Sequence, residues 1–394
     1  MANPVQHIRG YHESLTAFRR DLHSHPELAF QETRTAEQVA AQLTSWGIEI
    51  HRGLAKTGVV GVIPGRRRGT RAVGLRADMD CLPMHEIAER PHQSRNPGRM
   101  HACGHDGHTT MLLGAARYLA ETRAFDGTVY VIFQPAEEHG GGGNVMLQEG
   151  LFEKFPANEV YALHNWPGLP AGQIAVRAGP ILAATDEIRI EVRGQGGHAA
   201  MPHLSVDPVV IAAHIITALQ TIASRNVSPL DAVVVSVCSM ETSQLGAFNV
   251  IPDAVKLIGT VRTFRKETQT LAERRIGEIA GSVAQALGGS AEATYIRGYP
   301  ATVNTAREAD FAARVGETIF GAANVIREFD ATMGGEDFSY MLQARPGAYV
   351  LLGQGGGPTN CYLHNPSYDF NDDVIPLGAG YLAALAEAAL PVAS

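Results

Sequence analysis

Three short apolar runs and the helical stretch set among them limit what this chain can fold into. VVGVIPG (59–65), AVGLRAD (72–78) and TVYVIFQP (128–135) are bounded by turn signals and read as buried strands. Between the second and the third lies HTTMLLGAARYLAET (108–122), which is apolar on one face at helical spacing. Strands alternating with helices call for an α/β domain with a mixed, largely parallel sheet flanked by helices. Two more helices are expected upstream, over 14–22 and over 32–46, the second ending at Gly47.

The chain reads in three parts. After residue 179 the pattern changes to EIRIEVRG, SVDPVVIAAHIITALQTIAS, DAVVVSVCSM, AVKLIGTVRTF, KETQTLAERRIGEIAGSVAQAL and SAEATYIRGY. That is β-α-β-β-α-β, with Pro208 in the first turn of its first helix. Such a sheet leaves one face for a partner, so 180–298 reads as an inserted lid or dimerisation domain. Residues 299–394 return to the first pattern with DFAARVGETIFG, AYVLLGQ and LGAGYLAALAEAAL. The catalytic domain is therefore expected from 1–179 and 299–394 together.

Composition excludes several classes. Charged residues make up 18% of the 394 and the net charge is −8, so an extended nucleic-acid surface is not expected. No apolar run reaches the roughly 18 residues of a membrane span, and the N-terminal stretch lacks the apolar core of a signal peptide. The four cysteines, Cys81, Cys103, Cys238 and Cys361, form no CxxC pair. A reducing cytoplasm suits them better than a disulfide scaffold, and Cys81, Cys238 and Cys361 are expected to be structural.

Histidine is the unusual residue, with 16 copies, several beside glycine and carboxylates. MHACGHDGHTT places Cys103, His105, Asp106 and His108 within six positions just before a helix, and QPAEEHGGGG places Glu137, Glu138 and His139 just after a buried strand. His164 follows VYAL, and His364 lies in NCYLHNPSYDF. Each group ends an apolar segment, where open α/β sheets gather ligands. Imidazole, thiolate and carboxylate together suit zinc, manganese, cobalt or nickel rather than calcium or magnesium. One metal needs about three or four protein ligands, so the five candidates Cys103, His105, Glu138, His164 and His364 point to two divalent metals.

Extended backbone would aim Glu137 and Glu138 in different directions, one at a metal and one at water. His23 and His25 are spaced like a metal clip, but a structural or substrate-pocket role fits equally, and they stay outside the ligand set. His85-Glu86 lacks the second histidine of a zinc helix, because position 89 is Glu. The glycine run GQGGGP (353–358) has no helix pattern after it and is not read as a nucleotide loop.

DLHSHPELAFQE, GLRADMDCLPM, MHACGHDGHT, FQPAEEHGGG, ALHNWPG, GGHAAMPH and MGGEDF, in this order over residues 19–370, resemble the aminoacylase and carboxypeptidase family of co-catalytic metallohydrolases. The resemblance is to its amidohydrolase branch, with hippurate hydrolases and hydrolases of indole-acetyl amino acid conjugates. It implies two metals on Cys103, His105, Glu138, His164 and His364, and Glu137 as general base. It also implies that His198, on the inserted domain, meets the substrate carbonyl in a partner subunit's site, and that Asn249 touches substrate. Asp78 stands where the wider family has an Asp behind a metal-bound histidine, and Arg76 replaces that histidine here. A cation for the substrate's α-carboxylate is expected, with Arg262 as the candidate. The implied reaction splits an N-acyl amino acid with an apolar or aromatic acyl group into a carboxylic acid and a free amino acid. The implied assembly is a homodimer or higher homo-oligomer. A dipeptidase or carboxypeptidase on the same scaffold is the alternative enzyme. A non-catalytic metal or ligand-binding protein is the alternative class, and it would have no use for the spare carboxylate at Glu137.

Overall fold

The computed structural model describes residues 3–67, 69–244, 246–355 and 361–393, so the glycine run at 353–358 lies partly outside the described residues. The chain divides into two compact units. One is Met1–Ile181 with Thr302–Asp330 and Asp337–Ser394, and the other is Leu182–Ala301 with Ala331–Glu336. The short stretch 331–336 thus joins the second unit, not the first as its sequence position suggests. The tie is local: the Ala183 N–H donates to the Gly334 carbonyl (2.9 Å), and Leu182 bridges to Thr332.

The first unit is built on an eight-stranded sheet. Its order is Glu49–Leu54, Gly58–Pro64, Thr128–Gln134, Ala72–Asp78, Glu159–Pro167, Gly347–Gly355, Ile174–Ala175, Val325–Ile326. The four strands from Thr128–Gln134 to Gly347–Gly355 run parallel, and the sheet is mixed because Glu49–Leu54 and Gly58–Pro64 pair antiparallel. The parallel strands are buried along almost their whole length, which is why they read as continuous apolar runs. Helix His105–Thr122 makes the crossover from Ala72–Asp78 to Thr128–Gln134 and buries Met111, Leu112, Ala115 and Leu119. From Ala72–Asp78 the sheet continues on one side to Thr128–Gln134 and on the other to Glu159–Pro167. The order reverses there, and a crevice opens beyond the carboxyl ends of the strands at such a point.

The second unit is a four-stranded antiparallel sheet in the order Val233–Thr242, Ala254–Thr263, Ala184–Arg193, Ser290–Arg297. This is the βαββαβ arrangement, with helices Pro208–Leu219 and Lys266–Ala286. Ile211, Ile215, Leu219, Ile276 and Ala280 pack on Ile188, Ile190, Val255 and Leu257. The first helix starts where expected, with Asp207 accepting from the Val209 N–H, but it ends at Leu219 and a wider turn follows over Ile222–Asn226. One expectation changes here: by length and composition the segment Pro208–Asn226 is apolar enough to cross a membrane. In the fold its residues Ile211, Ala212, Ile215, Leu219 and Ile222 form part of the unit's core.

Candidate metal centre

Two helix and strand ends bring the thiol and imidazoles together. Gly104 caps helix His105–Thr122 at φ 98°, and a Cβ there would lie 2.3 Å from Asn165 Oδ1, so only glycine fits. Cys103 and His105 on either side of it are buried. His164 lies within strand Glu159–Pro167, opposite Leu351 in register. Its Nε2 is 3.4 Å from Cys103 Sγ. His364 has a positive φ of 61° and hangs its N–H on the Ala102 carbonyl (2.8 Å), which turns it back toward Cys103.

The two acids arrive after strand Thr128–Gln134. Ala136 takes φ 57°, and the chain then turns over Glu137 and Glu138 into Gly140 and Gly141, both at positive φ. Gly142 follows, where a Cβ would collide with the Pro135 carbonyl at 1.8 Å. The acidic pair is therefore not on extended backbone, and its carboxylates do not diverge. Ligand atoms of Glu137, Glu138 and His105 all lie within 4.8 Å of one another.

Two further triads satisfy the same distance: Cys103 with His105 and His164, and Cys103 with Glu138 and His364. They share Cys103 and together use all five residues expected as ligands. His105 Nε2 and Glu138 Oε1 are buried and make no hydrogen bond. Such orphaned atoms are costly unless something cationic satisfies them. The outer nitrogens are already engaged: His164 Nδ1 donates to the Asn165 carbonyl (2.7 Å), and His105 Nδ1 faces Asp80 Oδ1 at 3.3 Å. Each Nδ1 thereby keeps its proton, so Nε2 is the nitrogen that would face a metal.

The electrostatics agree with a cation site. Burial, with Glu138 adding, pushes the Cys103 thiol well up, so a thiolate there needs a positive partner. Burial alone would lower His105, but Asp78, Cys103 and Asp80 raise it well above the usual imidazole range. Burial and then His108 hold His164 well below that range, hence neutral. The donor set of two or three imidazoles, one thiol and carboxylates fits zinc, manganese, cobalt or nickel.

A fourth cluster, Asp78 with His105 and His108, meets the distance test but not the chemistry. Both His108 nitrogens are spent, Nδ1 on Asp78 Oδ1 and Nε2 on Asn165 Oδ1, each at 2.6 Å. Asp78 supports the site from behind. Its other oxygen takes Arg76 Nη1 at 2.7 Å, and Arg76 reaches on to Gln134 and Asp337. Burial would raise the Asp78 carboxyl, but His105, His108 and Arg76 hold it well below the usual carboxylate range. Arg76 is thus a fixed internal cation, where the resemblance has a histidine in the wider family.

Other expected residues lie elsewhere in the chain. His198 and Asn249 belong to the second unit and are neighbours there. Strand Gly197–His198 pairs with Val250–Ile251, and the Ala199 N–H donates to the Asn249 carbonyl at 3.0 Å. Both side chains are exposed. Arg262 lies on strand Ala254–Thr263, half-buried, with burial lowering its pKa and Asp186 opposing that. His23 is buried against Asp106 and Glu86, and His25 bonds to the Asp21 carbonyl, so neither joins a ligand triad. Cys81 is buried, but Cys238 is exposed at a bulge of strand Val233–Thr242, a correction to its reading as core filler. The sequence marks His108 but gives it no role, and sequence reasoning missed Asn165 and Asp80. The first two sit beside recognised residues, in GHDGH and ALHN, and Asp80 is the second acid of ADMD.

Residues 74–388 match the model of Peptidase family M20/M25/M40. The chain belongs to this family. Along 98% of both chains it is 39% identical to the hippurate hydrolase of Campylobacter jejuni, and it is 37% identical to the N-acetylcysteine deacetylase of Bacillus subtilis over 96% of this chain and 97% of that one. Among solved structures, the Bacillus subtilis YXEP protein, described as a dinuclear metal binding peptidase from the M20 family, superposes with a TM-score of 0.84 at 32% identity. That match covers 98% of this chain and all of the other. This M20 protein is an enzyme, a metal-dependent amidohydrolase, and its triads around Cys103 are the candidate positions for the metals.

Proposed function

We propose that this M20 enzyme hydrolyses N-acyl amino acids with an apolar or aromatic acyl group, releasing a carboxylic acid and a free amino acid. The observation that carries the reading is the place of Glu137. It stands outside both triads that share Cys103, yet its carboxylate is within 4.0 Å of His105 Nε2. The two triads that share Cys103 already use all five expected ligands without that carboxylate, which leaves it available to a water molecule beside them. Relatives named for hippurate, an N-benzoyl amino acid, and for N-acetylcysteine support the substrate class.

Cys103, His105, Glu138, His164 and His364 would hold two divalent metals, manganese, zinc, cobalt or nickel. When bound, such ions polarise the amide carbonyl and lower the pKa of water. Glu137 takes the proton from the attacking water and delivers it to the leaving amine nitrogen. Asp78, through His108 and Arg76, keeps the charge and orientation of the neighbouring residues fixed. His198, from a second copy of the chain, donates to the carbonyl oxygen as charge develops on it. Asn249 contacts the substrate, and Arg262 pairs with the α-carboxylate. A cytoplasmic setting belongs to the same reading, since the Cys103 ligand requires a reduced thiol.

The test is a hydrolysis panel of N-acetyl, N-benzoyl and indole-acetyl amino acids against dipeptides, with manganese- or cobalt-reconstituted protein. Faster cleavage of the acyl amino acids is expected. Preference for dipeptides would replace the reading with a dipeptidase, and no cleavage by metal-loaded protein would replace it with a binding protein.

A further inference from the structure

We infer that Asp80 is a positioning residue, whose carboxylate locks Glu137 and Glu138 into one turn and ties that turn to His105. The inference rests on the roles proposed for those three residues. Asp80 leaves the sheet two positions after strand Ala72–Asp78 and is 1% exposed. Its Oδ1 accepts the Glu137 N–H at 3.0 Å, and its Oδ2 accepts the Glu138 N–H at 3.0 Å. The same Oδ1 lies 3.3 Å from His105 Nδ1. One side chain thus joins the exit of one strand, the turn after the next, and the start of the crossover helix.

The residue before the turn shows why a lock is needed. Ala136 holds φ 57°, a left-handed conformation that alanine rarely adopts. Its own N–H donates to Glu32 Oε1 at 2.9 Å, and Glu32 is in turn held by the Thr57 hydroxyl (2.7 Å). Three successive amides, 136 to 138, therefore each donate to a buried carboxylate oxygen. Strained backbone of this kind persists only where its surroundings over-determine it.

Asp80 is explained only in part by charge, through its pair with His105. It also adds a third negative group beside Glu137 and Glu138, where like charges repel. Geometry explains the rest, because only a carboxylate offers two acceptor oxygens in one plane. Asparagine has a single acceptor, and its NH2 would face a backbone N–H at one of the two positions. If the oxygen keeps Glu137 and His105, the misfit falls on the Glu138 amide.

The experiment compares Asp80→Asn, Glu137→Gln and the double variant with wild type. It reads kcat and KM on N-benzoylglycine, cobalt(II) affinity and the visible cobalt(II) absorption spectrum. Asp80→Asn should lower kcat and weaken cobalt binding by about 10–100-fold each, with KM much less affected and the spectrum altered. Because part of the effect of Asp80 runs through Glu137, at saturating cobalt(II) the double variant should be slower than Glu137→Gln by a smaller factor than Asp80→Asn is slower than wild type. Wild-type kcat and an unchanged cobalt spectrum in Asp80→Asn would overturn the inference. So would losses that simply multiply in the double variant while the spectrum stays unchanged. A fully active Glu137→Gln would overturn the general-base reading instead, and the cobalt spectrum of Asp80→Asn would then decide alone, altered in favour and unchanged against. Should Asp80→Asn not fold, hydrogen exchange on the wild type decides. The Glu137 and Glu138 amides should be as protected as those of strand Thr128–Gln134, and loop-like exchange would contradict the lock.

Discussion

Cys103 Sγ lies 3.4 Å from Nε2 of His164, although 61 residues separate them in the chain. Both atoms are buried, and the tautomer of His164 turns its lone pair toward the sulfur. A thiol facing an imidazole lone pair at that distance is a hydrogen bond in the metal-free protein, and the same two atoms suit ligation of a common cation once the thiol is deprotonated.

Cys103→Ala should therefore lose at least one metal per subunit and all useful turnover, while Cys238→Ala should keep both. Elemental analysis alongside hydrolysis rates checks this. Thiol oxidation should inactivate the apo-protein faster than the metal-loaded form. The exposed Cys238 will react in either form, so the comparison belongs in the Cys238→Ala background. A Cys103→Ala protein with a full metal complement at unchanged affinity would refute the ligand role.

Much of this is legible in the sequence. Strand Ala72–Asp78 coincides with the apolar run AVGLRAD, because a strand buried on both faces needs no alternation to be seen. Strand Glu49–Leu54 carries no such signal. It is an edge strand with mostly exposed residues, and EIHRGL carries no apolar pattern. All five expected ligands fall into two triads sharing Cys103. The direction of Glu137 and Glu138 was misjudged because it depends on a positive φ at Ala136, which alanine does not advertise. The roles of His108 and Asp80 depend on which strand lies beside which, and local pattern does not report that.

The buried network under helix His105–Thr122 predicts a pH dependence of stability. His23 donates to Asp106 at 2.8 Å and meets Glu86 at 3.3 Å, while Arg19 also pairs with Asp106. Burial alone would lower the His23 pKa, but the bonds to Asp106 and Glu86 raise it from 6.5 to about 9. A raised pKa adds stability that is fully present below the unfolded value and is lost as pH rises through the folded one. The contribution is on the order of 3 kcal/mol. In denaturant unfolding, the deficit of His23→Gln should be large at about pH 6 and much smaller at about pH 10. An equal deficit at both would show that His23 is not charged in the fold.

Subunit exchange tests whether His198 acts on a partner's site. His198→Ala and Glu137→Ala proteins, each inactive, are mixed in equal amounts, and native mass spectrometry shows whether mixed dimers form. In a mixed dimer only the subunit with intact Glu137 receives an intact His198. With about half the dimers mixed, roughly one quarter of all sites should work. Mixed dimers without recovered activity would place His198 within its own chain's chemistry or outside it.

The most direct measurement is kcat of Glu137→Gln together with metal per subunit. Glutamine keeps the shape of the side chain but cannot take a proton from water. Glu137 lies outside both triads that share Cys103, so metal content should stay close to wild type. Turnover of N-benzoylglycine, or of the best substrate in the panel, should fall by about 10²–10⁴-fold. A metal-replete Glu137→Gln enzyme within about tenfold of wild type would contradict the account, because a general base contributes more than that.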